Sequence, residues 1–118
     1  MLLLGCADPL GMENYKITAA QISASSQFDK NHSPNQGRLH AKGDGGYSGS
    51  WSAGARNLRQ WIQIDLRVET NVQFVATQGR HGNLNQQVTQ YQLQYSMDGL
   101  SFLVYKKAGE SSDAVRNV

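Results

Sequence analysis

From Trp61 to Phe102 the chain runs in short stretches that alternate apolar and polar residues. Ile62, Ile64 and Leu66 share one parity, as do Val72, Phe74 and Ala76, and again Tyr91, Leu93, Tyr95 and Met97. Successive strand side chains point to opposite faces, so each stretch reads as a strand with one buried face. The pattern predicts strands over about 61–67, 71–78, 88–97 and 101–106. Gln63, Gln90, Gln92 and Gln94 fall on the opposite parity, as in antiparallel sheets with one face in solvent. Earlier, Ile17–Ser25 reads as a short strand or a turn leading into one, and 38–42 as a brief pairing. No stretch keeps a helical period over a helix length. Asp98-Gly99 predicts a tight type I′ hairpin turn, in which both central residues take positive φ.

Between these stretches lie a polar loop from Gln27 to Gly37 and a glycine-rich one from Gly43 to Ala55. Trp51, Trp61 and Phe74 are predicted to be core side chains. The 118 residues suit one domain, and a 39% hydrophobic fraction beside 17% charged residues argues for a folded chain. A net charge of +2 spread along the chain lacks the basic cluster of a nucleic-acid site, so no nucleic-acid partner is expected. No stretch reaches the roughly 20 apolar residues of a membrane span. Leu2, Leu3 and Leu4 are too few for a signal-peptide core of roughly 7–15 apolar residues. Residues 1–5 are read as a leader remnant or a start artefact.

Candidate chemistry is sparse. His32, His40 and His81 form no i, i+4 or H-x-H pair, and Cys6 is the single cysteine, so no zinc set is expected. The serines lack a nucleophile elbow. The glycine-rich run 43–49 has neither a Gly-Lys-Ser/Thr nor a following helix to cradle phosphate. The chain is therefore expected not to be an enzyme and to need no cofactor. Asp44 is a candidate contact for a structural calcium, without the full loop motif. Asn31-His32-Ser33 matches a glycosylation sequon, with Pro34 directly after it.

Several ordered phrases then carry a likeness. Cys6-Ala7-Asp8-Pro9-Leu10-Gly11-Met12-Glu13 is followed by Ile22-Ser23-Ala24-Ser25-Ser26, Gly37-Arg38-Leu39, Ser50-Trp51-Ser52-Ala53-Gly54 and the strand phrases above. In this order they resemble the discoidin domain, the C-type domain of coagulation factors V and VIII. The resemblance implies an all-β, jelly-roll-like sandwich of the galactose-binding type over residues 6–118, incomplete at the C-terminus because the family's closing strands are absent. It also implies a disulfide from Cys6 to a cysteine that this chain lacks.

The family's ligand loops would fall at 27–36, 40–49 and 80–87. The resemblance thus offers Phe28, Lys30 and His32, then Lys42 and Tyr47, then Arg80, His81, Asn83, Leu84 and Asn85 as ligand contacts. It implies an extracellular adhesion or recognition module, secreted or on a cell-surface ectodomain. The ligand would be a cell-surface glycan, favoured by the amide-rich loops, or anionic phospholipid such as phosphatidylserine; the remaining alternative is a truncated fragment that binds neither. An extracellular matrix protein is a further partner that the family admits.

Overall fold

A computed structural model describes residues 2–5, 8–82, 85–107 and 116–117, with side chains for 8–82 and 85–107. Cys6 and its expected disulfide lie outside the described residues, as do Asn83 and Leu84. The regular structure of the described residues is short strands and three 3-10 turns, with no α-helix, in keeping with the all-β expectation. The chain divides into two units, residues 1–87 and 88–118.

In the first unit the strands are β1 (Leu2–Gly5), β2 (Asp8–Pro9), β3 (Ile22–Ala24), β4 (Ile62–Ile64) and β5 (Phe74–Ala76). Strand β1 pairs antiparallel with both β2 and β5 in the order β2-β1-β5. Leu2, Leu3 and Leu4 pair with Ala76, Val75 and Phe74, and Gly5 pairs with Asp8. Strands β3 and β4 form a second antiparallel pair, with Ile22 opposite Ile64 and Ala24 opposite Ile62.

Met12, Ile17 and Ile22 are the buried apolar cluster, and Leu10, Ile62, Ile64, Leu66 and Val75 pack against it. Burying such side chains contributes about 1.5–3 kcal/mol each. The lead-in reaches this cluster through a loop closed by Ile17 N donating to Gly11 O at 3.0 Å. Gly11 sits at φ 125°, and a Cβ there would lie 2.6 Å from Lys16 Cβ, so the closure requires glycine.

Arg38 is buried beside this loop. Its guanidinium donates to Met12 O at 2.8 Å and to Asn35 Oδ1 at 2.6 and 3.1 Å, and it lies 4.2 Å over the Tyr15 ring. A desolvated cation is tolerated only when its donors are matched, and these acceptors match it.

The alternation holds for β4, where Ile62 and Ile64 face the cluster. Two expected core rings are exposed instead. Trp61, at 49% exposure, shares parity with Gln63 and not with Ile62. Phe74 is 61% exposed, because β5 turns Val75 inward, opposite to the parity expected for that strand. The expected pairing at 38–42 is not a strand: His40 takes φ 60°, which ends extended backbone.

The second unit holds β6 (Gln90–Tyr91) paired with β9 (Arg116–Asn117), and β7 (Gln94–Tyr95) paired with β8 (Leu103–Val104). Tyr95 lies opposite Leu103, so the β7–β8 connection runs from Ser96 to Phe102 and is longer than a two-residue turn. Gly99 has φ 73°, whereas Asp98 does not take positive φ, so the expected type I′ turn is not formed. Asp98 acts as a local cap: its Oδ1 accepts from Leu100 N at 2.8 Å and Ser101 N at 2.9 Å. Ser96 Oγ accepts from Asp98 N and Gly99 N on the other side of the loop. Side-chain hydrogen bonding to nearby backbone thus displaces the tight turn. Of the face expected to be buried here, Tyr91 and Leu93 are half-buried, while Tyr95 and Met97 are exposed.

These burials make a direct comparison. Ile22→Ala should cost about 2–5 kcal/mol of unfolding free energy, because it leaves a cavity beside Met12. Phe74→Ala should cost less than about 1 kcal/mol, as for other surface changes. Urea titration followed by tryptophan fluorescence measures both. Equal losses would return Phe74 to the core.

Candidate ligand-binding loops

The loop after β3 starts at a clamp between the two strands. Ser25 N donates to Trp61 O at 3.0 Å, and Trp61 N donates to Ser25 Oγ at 3.0 Å. The Ser25 and Ser26 hydroxyls both donate to Gln60 Oε1. Trp51 is half-buried, and its indole N–H donates to Ser26 O at 2.9 Å. This satisfies the polar edge of a ring that the sequence placed in a loop.

Asp29 then caps a 3-10 turn, Lys30–His32. Its Oδ1 accepts from Asn31 N at 2.9 Å, His32 N at 3.1 Å and His32 Nδ1 at 2.6 Å. A carboxylate only accepts, so the hydrogen sits on Nδ1. The hydrogen bond from the His32 ring, with those from Asn31 N and His32 N, holds the Asp29 carboxyl below its ordinary value against an opposing desolvation. The Phe28 ring meets the His32 ring edge to face, with centroids 5.4 Å apart, and is itself 68% exposed. Asp29 was not among the residues anticipated for this loop. An Asp directly before a turn-forming Lys-Asn-His is the signal that would have found it.

The first two loops are joined. Ser48 N and Oγ both donate to Asn31 O, at 3.0 and 2.9 Å. Phe28 N donates to Ser52 O at 2.7 Å, and Ser52 N donates to His32 O at 3.3 Å. The second loop folds on itself through Asp44 and Tyr47, each donating its N–H to the other's carbonyl. Gly49, at φ 68°, packs so closely that a Cβ would come 2.5 Å from Lys42 C. Tyr47 is 53% exposed, and Lys30 and Lys42 are exposed as well.

The third loop is tied more remotely. His40 N donates to the Gln78 side chain at 2.7 Å, and His40 Nδ1 lies 2.9 Å from Glu13 Oε1. Arg80 is half-buried and closes its own loop, through its N–H to Gln86 O and its guanidinium to Gln86 Oε1, both at 2.9 Å. His81 and Asn85 are exposed. The structure thus joins the loops of Phe28, Lys30, His32, Lys42 and Tyr47 directly. Arg80 is turned back onto its own loop.

A fourth loop, not anticipated from the pattern, carries an apolar tip. Leu58 is fully exposed between Arg56 and Arg59, both exposed, and Asn57 Oδ1 braces the loop by accepting from Arg59 N and the Gln60 amide. Among the described residues no three His, Cys, Asp or Glu side chains gather where they could hold a metal ion, Asp44 included. No described helix is long and apolar enough to cross a membrane.

The pH response of the Asp29 cap follows from its lowered carboxyl. Its stabilising effect is fully present above the unfolded-state value and is lost as pH falls through the lower folded-state value. The amide proton shifts of Asn31 and His32 should therefore titrate together, with a midpoint below that of an ordinary aspartate. Asp29→Asn should abolish the step. A midpoint at the ordinary value would mean that the cap is not formed.

Comparison with known proteins matches the F5/8 type C domain to residues 21–118. Lactadherin of Mus musculus is 33% identical over 117 aligned residues, covering 92% of this chain and 24% of that protein. Neuropilin-2 of Rattus norvegicus is 37% identical over 105 residues, covering 86% of the chain and 11% of that protein. Coagulation factor VIII of Canis lupus familiaris is 34% identical over 135, covering 99% of the chain and 6% of that protein. The chain thus spans a quarter or less of each of these relatives.

Proposed function

This chain belongs to the F5/8 type C (discoidin) domain family, and from that premise we propose that it is an extracellular recognition module, without enzymatic activity, that binds cell-surface glycans. The observation that carries the proposal is a pair of exposed aromatic rings, Phe28 and Tyr47, on two loops hydrogen-bonded to each other through Asn31 and Ser48. Aromatic faces stack on the apolar faces of sugar rings. Neighbouring amides and lysines meet the hydroxyls, since Asn and Gln both donate and accept. Loops held by a rigid base suit recognition, because little freedom is lost on binding. The Ser25–Gln60 clamp and the Asp29 cap provide that base.

A second reading, binding to anionic phospholipid, has its own support in Leu58 between Arg56 and Arg59. An apolar tip that enters the interface beside cations suits a negatively charged bilayer, where each Arg contributes about 1 kcal/mol.

A glycan array run beside sedimentation with phosphatidylserine vesicles separates the two. For glycan binding, Phe28→Ala and Tyr47→Ala should each lower affinity about tenfold, roughly 1.4 kcal/mol. Arg56→Gln with Arg59→Gln should leave glycan affinity unchanged. Salt-sensitive vesicle binding that this double change removes, with a silent array, would overturn the glycan reading in favour of the lipid one.

A further inference from the structure

Two aspartates in this chain precede glycine, Asp44 and Asp98. Such bonds are the peptide units most open to succinimide closure, because glycine has no Cβ to shield its own amide nitrogen. The fold treats the two in opposite ways. At Asp98 both reacting groups are engaged: the carboxylate accepts from Leu100 N, Ser101 N and Ser96 Oγ, and Gly99 N donates to Ser96 Oγ at 2.9 Å. The bonds from Ser101 and then Leu100 also hold that carboxyl low, which depletes the neutral acid that must lose water.

At Asp44 the main chain is occupied and the reacting groups are free. Asp44 N and O bond Tyr47 at 3.1 and 2.9 Å. Among the described residues neither the Asp44 carboxylate nor Gly45 N makes a hydrogen bond. Around Gly45 and Gly46 a Cβ would meet nothing within 4 Å, so the tip has room for a five-membered ring.

We propose that Asp44–Gly45 is a native-state isomerisation site at which aspartate converts to isoaspartate without enzyme or cofactor. Gly45 N attacks Asp44 Cγ, a C–N bond forms, and the carboxyl oxygen leaves as water with the amide proton. Water then reopens the imide. Cleavage at the N–Cγ bond restores aspartate. Cleavage between the nitrogen and the main-chain carbonyl carbon routes the chain through Cγ. The water lost in the first step returns in the second, so mass is unchanged.

The isomer carries an extra methylene in the main chain within the Asp44–Tyr47 closure, and so moves Tyr47 and the Ser48–Asn31 junction. The modification stands on the loop's own chemistry. Its effect on recognition rests on the reading of Tyr47 as a ligand-facing ring.

The full chain, held in mildly acidic buffer at physiological temperature, is cut with trypsin at Lys42, Arg56, Arg80 and Lys106. Isoaspartate is then read by L-isoaspartyl methyltransferase labelling and chromatographic retention. Peptide 43–56 should develop a labelled species of unchanged mass several-fold faster than peptide 81–106. The difference should vanish in denaturant, and Asp44→Glu should lose the signal. Equal native rates, or no label in 43–56, would overturn the proposal. If 43–56 isomerises but glycan binding by the aged chain matches the fresh chain, the role given to Tyr47 falls and the modification site stands.

Discussion

Three ladder pairs, Ile22–Ile64, Ser23–Gln63 and Ala24–Ile62, do two jobs in the first unit. Their inward residues, Ile22, Ile62 and Ile64, carry the apolar contact that buries Met12 and Ile17. Their far end, at Ser25 and Trp61, is where the loops begin. The ladder is short, and side chains extend it: Gln21 Nε2 donates to Asp65 O at one end, and Ser25 and Ser26 engage Gln60 at the other. Without that clamp the loop bearing Phe28 would have no fixed exit angle.

Polar groups govern the rest of this unit more than apolar ones. Arg38 is buried without a carboxylate within ion-pair distance among the described residues, and it joins the lead-in at Met12 to the 3-10 turn at Asn35. Removing either acceptor would leave a desolvated donor, which costs more than the bond contributes when made. Asp29 works similarly at smaller scale, its one oxygen organising three donors. In both places a single side chain replaces the regular ladder that such short strands cannot supply. The two joined loops are thereby held by hydrogen bonds while Phe28 and Tyr47 stay exposed.

The alternation of Ile62, Ile64 and Leu66 was legible because the parity of a strand follows from covalent geometry alone. The same rule failed at β5, where Val75 and not Phe74 meets the cluster. Parity says which residues share a face. It does not say which face another segment covers. Asp98-Gly99 was legible as a reversal, but its type was decided by Ser96, whose hydroxyl captures the amides of Asp98 and Gly99. Loop membership of Phe28, Lys42 and Tyr47 was also readable, through the family likeness. The joining of those loops was not, because it passes through the Asn31 carbonyl, a group that every residue carries.

The sequence by itself determined the all-β class, the family and the loop placement of Phe28 and Tyr47, since periodicity, glycine placement and ordered phrases are local properties. Only the tertiary structure decided which parity of β5 is buried, that Arg38 lies inside, that Asp29 anchors His32, and that one Asp–Gly pair is sheltered while the other is open. Each of these depends on partners distant in sequence or on competition among nearby hydrogen-bonding groups. A residue's type states what it is able to bond, and the fold selects which of those bonds are made.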